Sequence, residues 1–254
     1  MRFLTKEQIT RLLFWERGKQ ERATRESVCQ RRLTRLYHNG YLNRFYMTTI
    51  PGQGGSPAVY YLGATGKRYL KGLGINAKTI NKPGQRIQMF LDHTLAVNDV
   101  WIEVEKMHRE GVWKLVHWMT PTDIIGEKKR IPAATGQKWI VPDGLFFVVE
   151  DGKQKGFYVE VDRGTMTAKR FGMKVSAYIH YRTGGHFERA SGFKNMRVII
   201  TVPTETRLLH LKKAVEGLGG RNLFWLIVES SVRKLGFGAA YWRIAGTERD
   251  AYLF

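Results

Sequence analysis

The sequence predicts an α+β protein with a small, strongly basic N-terminal domain and a larger domain that contains a mixed sheet. Helical periodicity and short β-branched or aromatic runs follow one another along the whole chain. The 254 residues are enough for two domains, and residues 74–85 have the Gly- and Pro-containing composition of a linker. We therefore expect domains at residues 1–73 and 86–254.

The charge of the chain is its most unusual property. The net charge is +20, which favours a polyanionic partner, and nucleic acid is the first candidate. Residues 1–82 contain 16 Lys and Arg but only 4 Asp and Glu, a net charge of +12. We therefore expect the main DNA contact in the first third of the chain. A ribosome-associated or membrane-surface protein is the alternative.

The single cysteine, Cys29, excludes an intrachain disulfide and a cysteine-based zinc site, and it fits a reducing cytoplasm. No apolar run approaches the roughly 20 residues of a membrane span. The first residues carry charges throughout and lack a secretory core. We expect a cytoplasmic protein without a membrane segment.

The first domain shows two helices followed by a strand hairpin. Thr5 is suited to cap a first helix, and a second helix, at about residues 24–38, ends at Asn39-Gly40. Two strands and a short helix follow at residues 41–46, 58–62 and 65–70. A Gly-rich turn at residues 51–57 joins the strands. This order is that of a winged helix-turn-helix.

The second helix has one face suited to DNA. Its apolar side carries Val28, Cys29, Leu33, Leu36 and Tyr37. Its polar side carries Ser27, Gln30, Arg31, Thr34, Arg35 and His38. Hydroxyl, amide and guanidinium groups recognise base edges in the major groove, and the absence of an acid from this face favours DNA contact over an ordinary solvated surface. Arg32, and Arg44 at the base of the wing, are predicted to contact phosphates.

The larger domain is predicted to contain a tight hairpin. Apolar strands at residues 139–149 and 156–162 flank Asp151-Gly152, a strong hairpin signal. A two-residue loop places Asp143 opposite Glu160, whereas a four-residue loop places Asp143 opposite Asp162. The sequence leaves both registers open.

In either register, Asp143, Glu160 and Asp162 share one face of the hairpin. Acids inside a strand that is covered on both sides are costly unless they are paired or bound to a metal. Carboxylate oxygens suit Mg²⁺ or Mn²⁺. We therefore predict a functional acidic cluster with a divalent cation, and solvated acids on an exposed sheet face are the alternative.

Together with the hairpin, the other elements of this domain give the order α-β-β-β-α-β, then α-β and a closing strand. They are predicted at residues 86–108, 113–118, 167–181, 196–202, 206–217, 223–228 and 240–244, with the hairpin in third position. The order implies a mixed sheet with helices against both faces.

This order, with Pro142-Asp143 on one strand and Glu160-Val161-Asp162 on the next, resembles the core of the PD-(D/E)xK nucleases. The resemblance implies that Asp143 and Glu160 bind Mg²⁺ and that a lysine two residues after the glutamate helps to activate water. Asp162 occupies that lysine position here. Lys169 or Lys174 on the following helix would have to supply the positive charge, and Tyr178 shares a helix face with Lys174.

Both domains together resemble the replication-relaxation family of bacterial plasmids and integrative elements. The resemblance rests on residues 31–44, 60–70, 92–101, 142–144 and 160–165, with Lys174 and Tyr178. It implies a DNA-binding protein of mobile-element replication or transfer. Candidate partners are double-stranded DNA, a replication or relaxase protein, and a second copy of the chain. Two hypotheses stay open: metal-dependent strand cleavage with Asp143, Glu160, Asp162 and Lys174 as catalytic residues, and a non-catalytic DNA-binding regulator or accessory factor with a degenerate nuclease fold.

Overall fold

A computed structural model describes residues 3–14, 22–47, 56–75, 88–133, 139–239, 242–248 and 250–253. The chain divides into two compact units, Met1–Ile102 and Glu103–Phe254. Helices and strands occur in both units, which confirms the predicted α+β class. The linker predicted at residues 74–85 lies mostly outside the described residues and stays a prediction. No helix in the described part of the chain is long and apolar enough to cross a bilayer.

The first unit is built on a small antiparallel sheet. Its elements, in chain order, are β1 (Leu4–Thr5), α1 (Lys6–Leu13), α2 (Arg22–His38), β2 (Leu42–Tyr46), β3 (Ala58–Leu62), α3 (Ala64–Gly72) and the larger part of α4 (Gln88–Arg109). Strand β3 lies between β1 and β2 and pairs antiparallel with both. The bounds of β3 are those that the sequence predicts.

Helices α1 and α2 share a core with the sheet. Thr5 begins α1 with a capping box: its Oγ1 accepts from the N–H of Gln8 at 3.2 Å, and the Gln8 side chain accepts from the N–H of Thr5 at 3.2 Å. Helix α2 buries Cys29 and Leu33, whereas Leu36 is 41% exposed. The buried side of α2 is therefore narrower than its apolar periodicity suggests.

A close approach of two backbone segments fixes the start of α3. The N–H of Gly63 donates to the carbonyl of Tyr41 at 2.8 Å, and the N–H of Thr65 donates to the carbonyl of Gly40 at 3.2 Å. A Cβ atom at Gly63 would lie 2.3 Å from the carbonyl oxygen of Gly40. Glycine is required here because the obstructing atom belongs to the backbone.

The second unit is built on a larger mixed sheet. After α4 its elements are β4 (Lys114–Met119), α5 (Pro121–Gly126), β5 (Ile131–Pro132), β6 (Trp139–Ile140), β7 (Gly144–Glu150), β8 (Lys153–Val161), α6 (Ala168–Thr183), α7 (His186–Ser191), β9 (Asn195–Val202), α8 (Glu205–Gly217), β10 (Phe224–Val228), α9 (Glu229–Ala239), β11 (Trp242–Ile244) and β12 (Asp250–Ala251). Among the described residues, the strand order is β12-β11-β10-β9-β8-β7-β4. Strands β8, β9 and β10 are parallel neighbours, and the other pairs are antiparallel.

The prediction of one continuous strand at residues 139–149 is wrong. The structure divides this segment into β6, which pairs with β5 in a separate ribbon, and β7, which pairs with β4 and β8. Pro142 lies between them and has no N–H group to donate to a ladder, so the strand is interrupted there. Helices α5, α7 and α9 were not predicted. The first two have six residues each, too few for a clear period, and α9 is interrupted at Gly236, where φ is 75°.

The hairpin of β7 and β8 closes with a two-residue turn. Both residues of Asp151-Gly152 have positive φ, 48° and 72°, as a type I′ turn requires. The register pairs Gly144 with Val159. Of the two predicted registers, the structure therefore has the one with the two-residue loop, and Asp143 lies at the level of Glu160.

The central strands are covered on both faces. Leu145, Tyr158 and Ile200 belong to a core that also contains residues of α6 and α8. Phe146 and Phe157 lie on the opposite face, where their rings stack with centroids 4.8 Å apart. Strand β8 is thus buried on both sides, and any acid on it needs a partner.

We expect Gly63→Ala to destabilise the first unit by about 1–3 kcal/mol, because the new methyl group displaces backbone and not a flexible side chain. Gly72→Ala at the end of α3 is the matched control, since a Cβ atom added there would have nothing within 4 Å. Denaturant unfolding of the full chain measures both. A midpoint for Gly63→Ala equal to that of Gly72→Ala would contradict the close approach.

Candidate functional site

Glu160 and Asp162 project into one small pocket on the α6 side of the sheet. They are two residues apart, at the end of β8 and just beyond it, and therefore share a face. Glu160 is 5% exposed and Asp162 is 2% exposed. The other residues that line the pocket are Met166, Phe171, Lys174, Val175, Tyr178, Val198, Ile200 and Phe224. Two carboxylates in such apolar surroundings require hydrogen-bond partners and neutralising cations.

Helix α6 supplies both partners of Glu160. The ammonium group of Lys174 lies 2.5 Å from Oε2 of Glu160, and the hydroxyl of Tyr178 donates to Oε1 at 2.5 Å. Lys174 and Tyr178 are four residues apart, so both side chains project from one helix face, as their spacing predicts. Lys169, the other lysine considered from the sequence, is exposed on the same helix.

Burial and charge shift the titration of these groups. Burial raises the pKa of Glu160, while the charge of Lys174 opposes that rise. Burial alone would lower the pKa of Lys174, but the negative charges of Glu160 and Asp143 outweigh it and the pKa lies above its ordinary value. Burial and the charge of Glu160 raise the pKa of Tyr178 well above its ordinary value. Lys174 and Tyr178 are therefore both protonated at neutral pH.

Asp143 lies across the hairpin from Glu160. Its N–H donates to the carbonyl of Val159 at 3.0 Å, and its Oδ2 accepts from the N–H of Val161 at 2.8 Å. The carboxylate thus extends the pairing of β7 and β8 beyond the end of the ladder. Its charge contributes to raising the pKa of both Glu160 and Lys174, so the three groups form one electrostatic unit.

Asp162 has a separate cation, Arg207, which the sequence analysis missed. Nε of Arg207 donates to Oδ2 of Asp162 at 2.8 Å, and Nη2 donates to Oδ1 at 3.0 Å. The same Nη2 donates to the carbonyl of Met166 at 3.0 Å, and the N–H of Gly164 donates to Oδ2 of Asp162 at 3.0 Å. The ion pair therefore also fixes the connection between β8 and α6.

The position of Arg207 follows from the topology of the sheet. Thr204 caps α8 directly after β9, and β9 is parallel to β8. Because parallel strands end at the same edge of a sheet, a cation in the first turn of α8 lies near the end of β8. Predicting this position requires knowing that β8 and β9 are neighbours.

The acidic residues fit a metal ion unequally. Each oxygen of Glu160 accepts one hydrogen bond and keeps a second lone pair. Oδ2 of Asp162 already accepts from Arg207 and Gly164, and Oδ1 accepts from Arg207, so Asp162 is poorly placed to be a ligand. Within the described residues, no group of three His, Cys, Asp or Glu side chains is arranged to hold a metal. Metal binding by Asp143, Glu160 and Asp162 stays a prediction.

The polar face of α2 is largely exposed. Ser27, Arg31, Arg32, Arg35 and His38 are exposed, and Gln30 and Thr34 are half-buried. The amide of Gln30 donates to the hydroxyl of Thr34 at 3.3 Å. The guanidinium of Arg44 lies over the ring of Tyr37, 4.3 Å from its centroid, which holds Arg44 beside the end of α2.

Helix α4 also carries two acids four residues apart, Asp99 and Glu103. Asp99 accepts from Arg11 at 2.7 Å and from Gln8 at 3.1 Å, which ties α1 to α4 within the first unit. Glu103 belongs to the second unit and is 4% exposed. The two acids thus lie in different units of the chain.

We expect Lys174→Met to destabilise the second unit by about 3–5 kcal/mol at neutral pH, because it leaves the buried Glu160 carboxylate without its cation. The loss should shrink at mildly acidic pH. Without Lys174 the pKa of Glu160 in the folded protein rises further above its ordinary value in the unfolded chain. The variant is therefore most stable below the ordinary glutamate pKa, and it loses stability as the pH rises from there through the raised pKa. Denaturant unfolding at both pH values measures the effect.

Lys169→Met is the matched control for this prediction, since it removes an exposed lysine from the same helix and should change stability by about 0.5 kcal/mol or less. Equal losses for the two variants, or a loss for Lys174→Met that does not depend on pH, would contradict the pairing.

Comparison with known proteins identifies one family. A family model described as replication-relaxation matches residues 1–196. The match includes α2 and the cluster of Asp143, Glu160 and Lys174, but it ends before Arg207. No curated protein and no solved structure matches the chain.

Proposed function

The chain belongs to the replication-relaxation family, and from this premise we propose that it binds duplex DNA through α2 in the replication or transfer of a plasmid or other mobile element. The family indicates the process. The observation that carries the DNA contact is the exposed polar face of α2, opposite the buried Cys29 and Leu33. Glu26, the one acid among residues 22–38, lies at the boundary of this face, four residues before Gln30 and seven before the buried Leu33.

The arrangement of the first unit supports a winged helix. Helices α1 and α2 precede the β2–β3 hairpin, and the short β1 completes the sheet on the β3 side. In a winged helix, the second of two such helices enters the major groove and the hairpin lies along the backbone. Arg44 in β2 would contact phosphate there. Most of the Gly-rich tip predicted at residues 51–57 lies outside the described residues.

We expect Arg31→Ala and Thr34→Ala to relax the choice among DNA sequences, because these side chains are proposed to contact base edges. Arg44→Ala should weaken binding to every duplex similarly and reduce the slope of log affinity against log salt by about 1, as expected for one lost phosphate contact. Selection of bound duplexes from a random pool measures the first effect, and a salt titration measures the second.

The matched control is Arg182→Ala, which removes an exposed arginine from α6 in the other unit. If all three α2 and wing variants behave like this control, DNA contacts another surface. A replication or relaxase protein is proposed as the partner that uses the bound duplex, and self-association of the chain stays a prediction.

Metal-assisted phosphodiester cleavage is a second candidate function. The observation that favours it is the grouping of Asp143, Glu160 and Lys174. Asp162 occupies the position of the nuclease lysine, and Lys174 from α6 would supply the missing positive charge. Asp143 and the second lone pairs of Glu160 would hold Mg²⁺ or Mn²⁺, which would neutralise charge on the phosphate and activate water. In the alternative, a non-catalytic DNA-binding protein, Lys174 and Arg207 only neutralise buried acids.

If the chain cleaves DNA, supercoiled plasmid should be nicked with Mg²⁺ or Mn²⁺ and remain intact with EDTA. Asp143→Ala should abolish nicking, because it removes a proposed metal ligand, while duplex binding through α2 persists. Asp151→Asn is the matched control, since it removes an exposed acid but keeps a residue type that tolerates the turn's positive φ. Intact plasmid with both metals, together with a gel shift, would support the non-catalytic protein.

A further inference from the structure

The β5–β6 ribbon presents a tryptophan in a fixed, exposed position. Ile131 and Ile140 pair across the ribbon, are 0% and 8% exposed, and belong to the core that contains α6. Because strand side chains alternate, burial of Ile140 directs its neighbour Trp139 away from the core. Trp139 is 55% exposed. Its exposure therefore follows from the register of an anchored ribbon.

A cationic segment accompanies this tryptophan. The guanidinium carbon of Arg130 lies 5.3 Å from the centroid of the Trp139 ring. Nε of Arg130 is buried and, within the described part of the chain, makes no hydrogen bond, while the guanidinium packs against the ring. Lys129 pairs with Glu127 at 3.0 Å, and residues 127–130 together keep a net charge of +2.

We infer that Trp139 and Arg130 form a site that stacks an unpaired base of single-stranded DNA. Proteins bind single strands by combining cations for the phosphates with aromatic side chains for the base faces. A duplex hides its base faces, whereas a single strand exposes them. An apolar protein segment fits less well, because the neighbouring isoleucines of the ribbon are buried and leave one aromatic ring among cations.

The position of the ribbon in the chain adds to this inference. Trp139 is separated from Asp143 of the acidic cluster only by residues 140–142. Single-stranded DNA stacked on Trp139 would therefore be bound by a segment that leads directly to this cluster. The site goes beyond the duplex contact proposed for α2 and stands on different residues in the other unit. The two contacts can therefore be tested separately.

Fluorescence anisotropy with a labelled oligothymidylate measures the site directly. Trp139→Ala should weaken binding about 5- to 150-fold, the range for loss of one stacked base. Trp139→Phe should keep most of the affinity, because it keeps an aromatic face. Leu209→Ala is the matched control: Leu209 is also 55% exposed, but it lies on α8 and should not affect binding.

Two further measurements distinguish the outcomes. Trp139→Ala should bind duplex DNA as the wild type does, and Arg31→Ala should bind oligothymidylate as the wild type does. Irradiation of wild-type protein with an iodouracil-substituted oligonucleotide should give an adduct at Trp139. The inference is overturned if wild-type protein does not bind oligothymidylate, if Trp139→Ala binds it normally, or if adducts form only elsewhere. If wild-type protein binds oligothymidylate as expected but does not bind duplex DNA, only the proposal for α2 is overturned.

Discussion

The burial of two carboxylates at the end of one strand is the constraint on which the second unit depends. Glu160 and Asp162 sit at the end of β8 beneath two helices, and each receives a cation from a different helix. Removing one partner of such a buried pair costs about 3–5 kcal/mol, a large fraction of the stability of a domain. Helix α6 must therefore present Lys174 to the sheet, and α8 must begin where Arg207 reaches β8. Two ion pairs thus fix where two helices lie on the sheet.

The two ion pairs differ in the chemistry that they allow. Arg207 holds Asp162 through both carboxylate oxygens and stays charged at every physiological pH, so this pair is a fixed structural element. Lys174 and Tyr178 each hold one oxygen of Glu160, and burial raises the pKa of that carboxyl. Apolar residues of similar volume would often be at least as stable as a buried ion pair. Stability alone therefore explains neither pair, but the oxygens of Glu160 keep lone pairs that those of Asp162 share with Arg207 and Gly164, so Glu160 is the better suited of the two acids to the proposed chemistry.

Local patterns predicted local structure well, and long-range pairing limited the rest. The Asp-Gly turn, the Thr5 cap and the strand at residues 58–62 follow from neighbouring residues and were found as predicted. The shared face of Glu160 and Asp162 follows from strand alternation in the same way. Arg207 was missed because it reaches Asp162 from 45 positions away, through the parallel pairing of β8 and β9. Pro142 could have predicted the break, but the apolar residues on both sides of it favoured one continuous strand.

A net charge of +20 attracts any polyanion, and that attraction alone is non-specific and weakens with salt. The proposed contact surfaces differ from a merely basic surface because, on each of them, an aromatic ring positions one arginine. Arg44 lies over Tyr37, and Arg130 lies over Trp139, each beside a helix or ribbon anchored by buried apolar residues. An arginine that is already ordered loses less conformational entropy when it binds a phosphate or a base. An arginine held in one place can then favour one position of the bound DNA on each proposed surface.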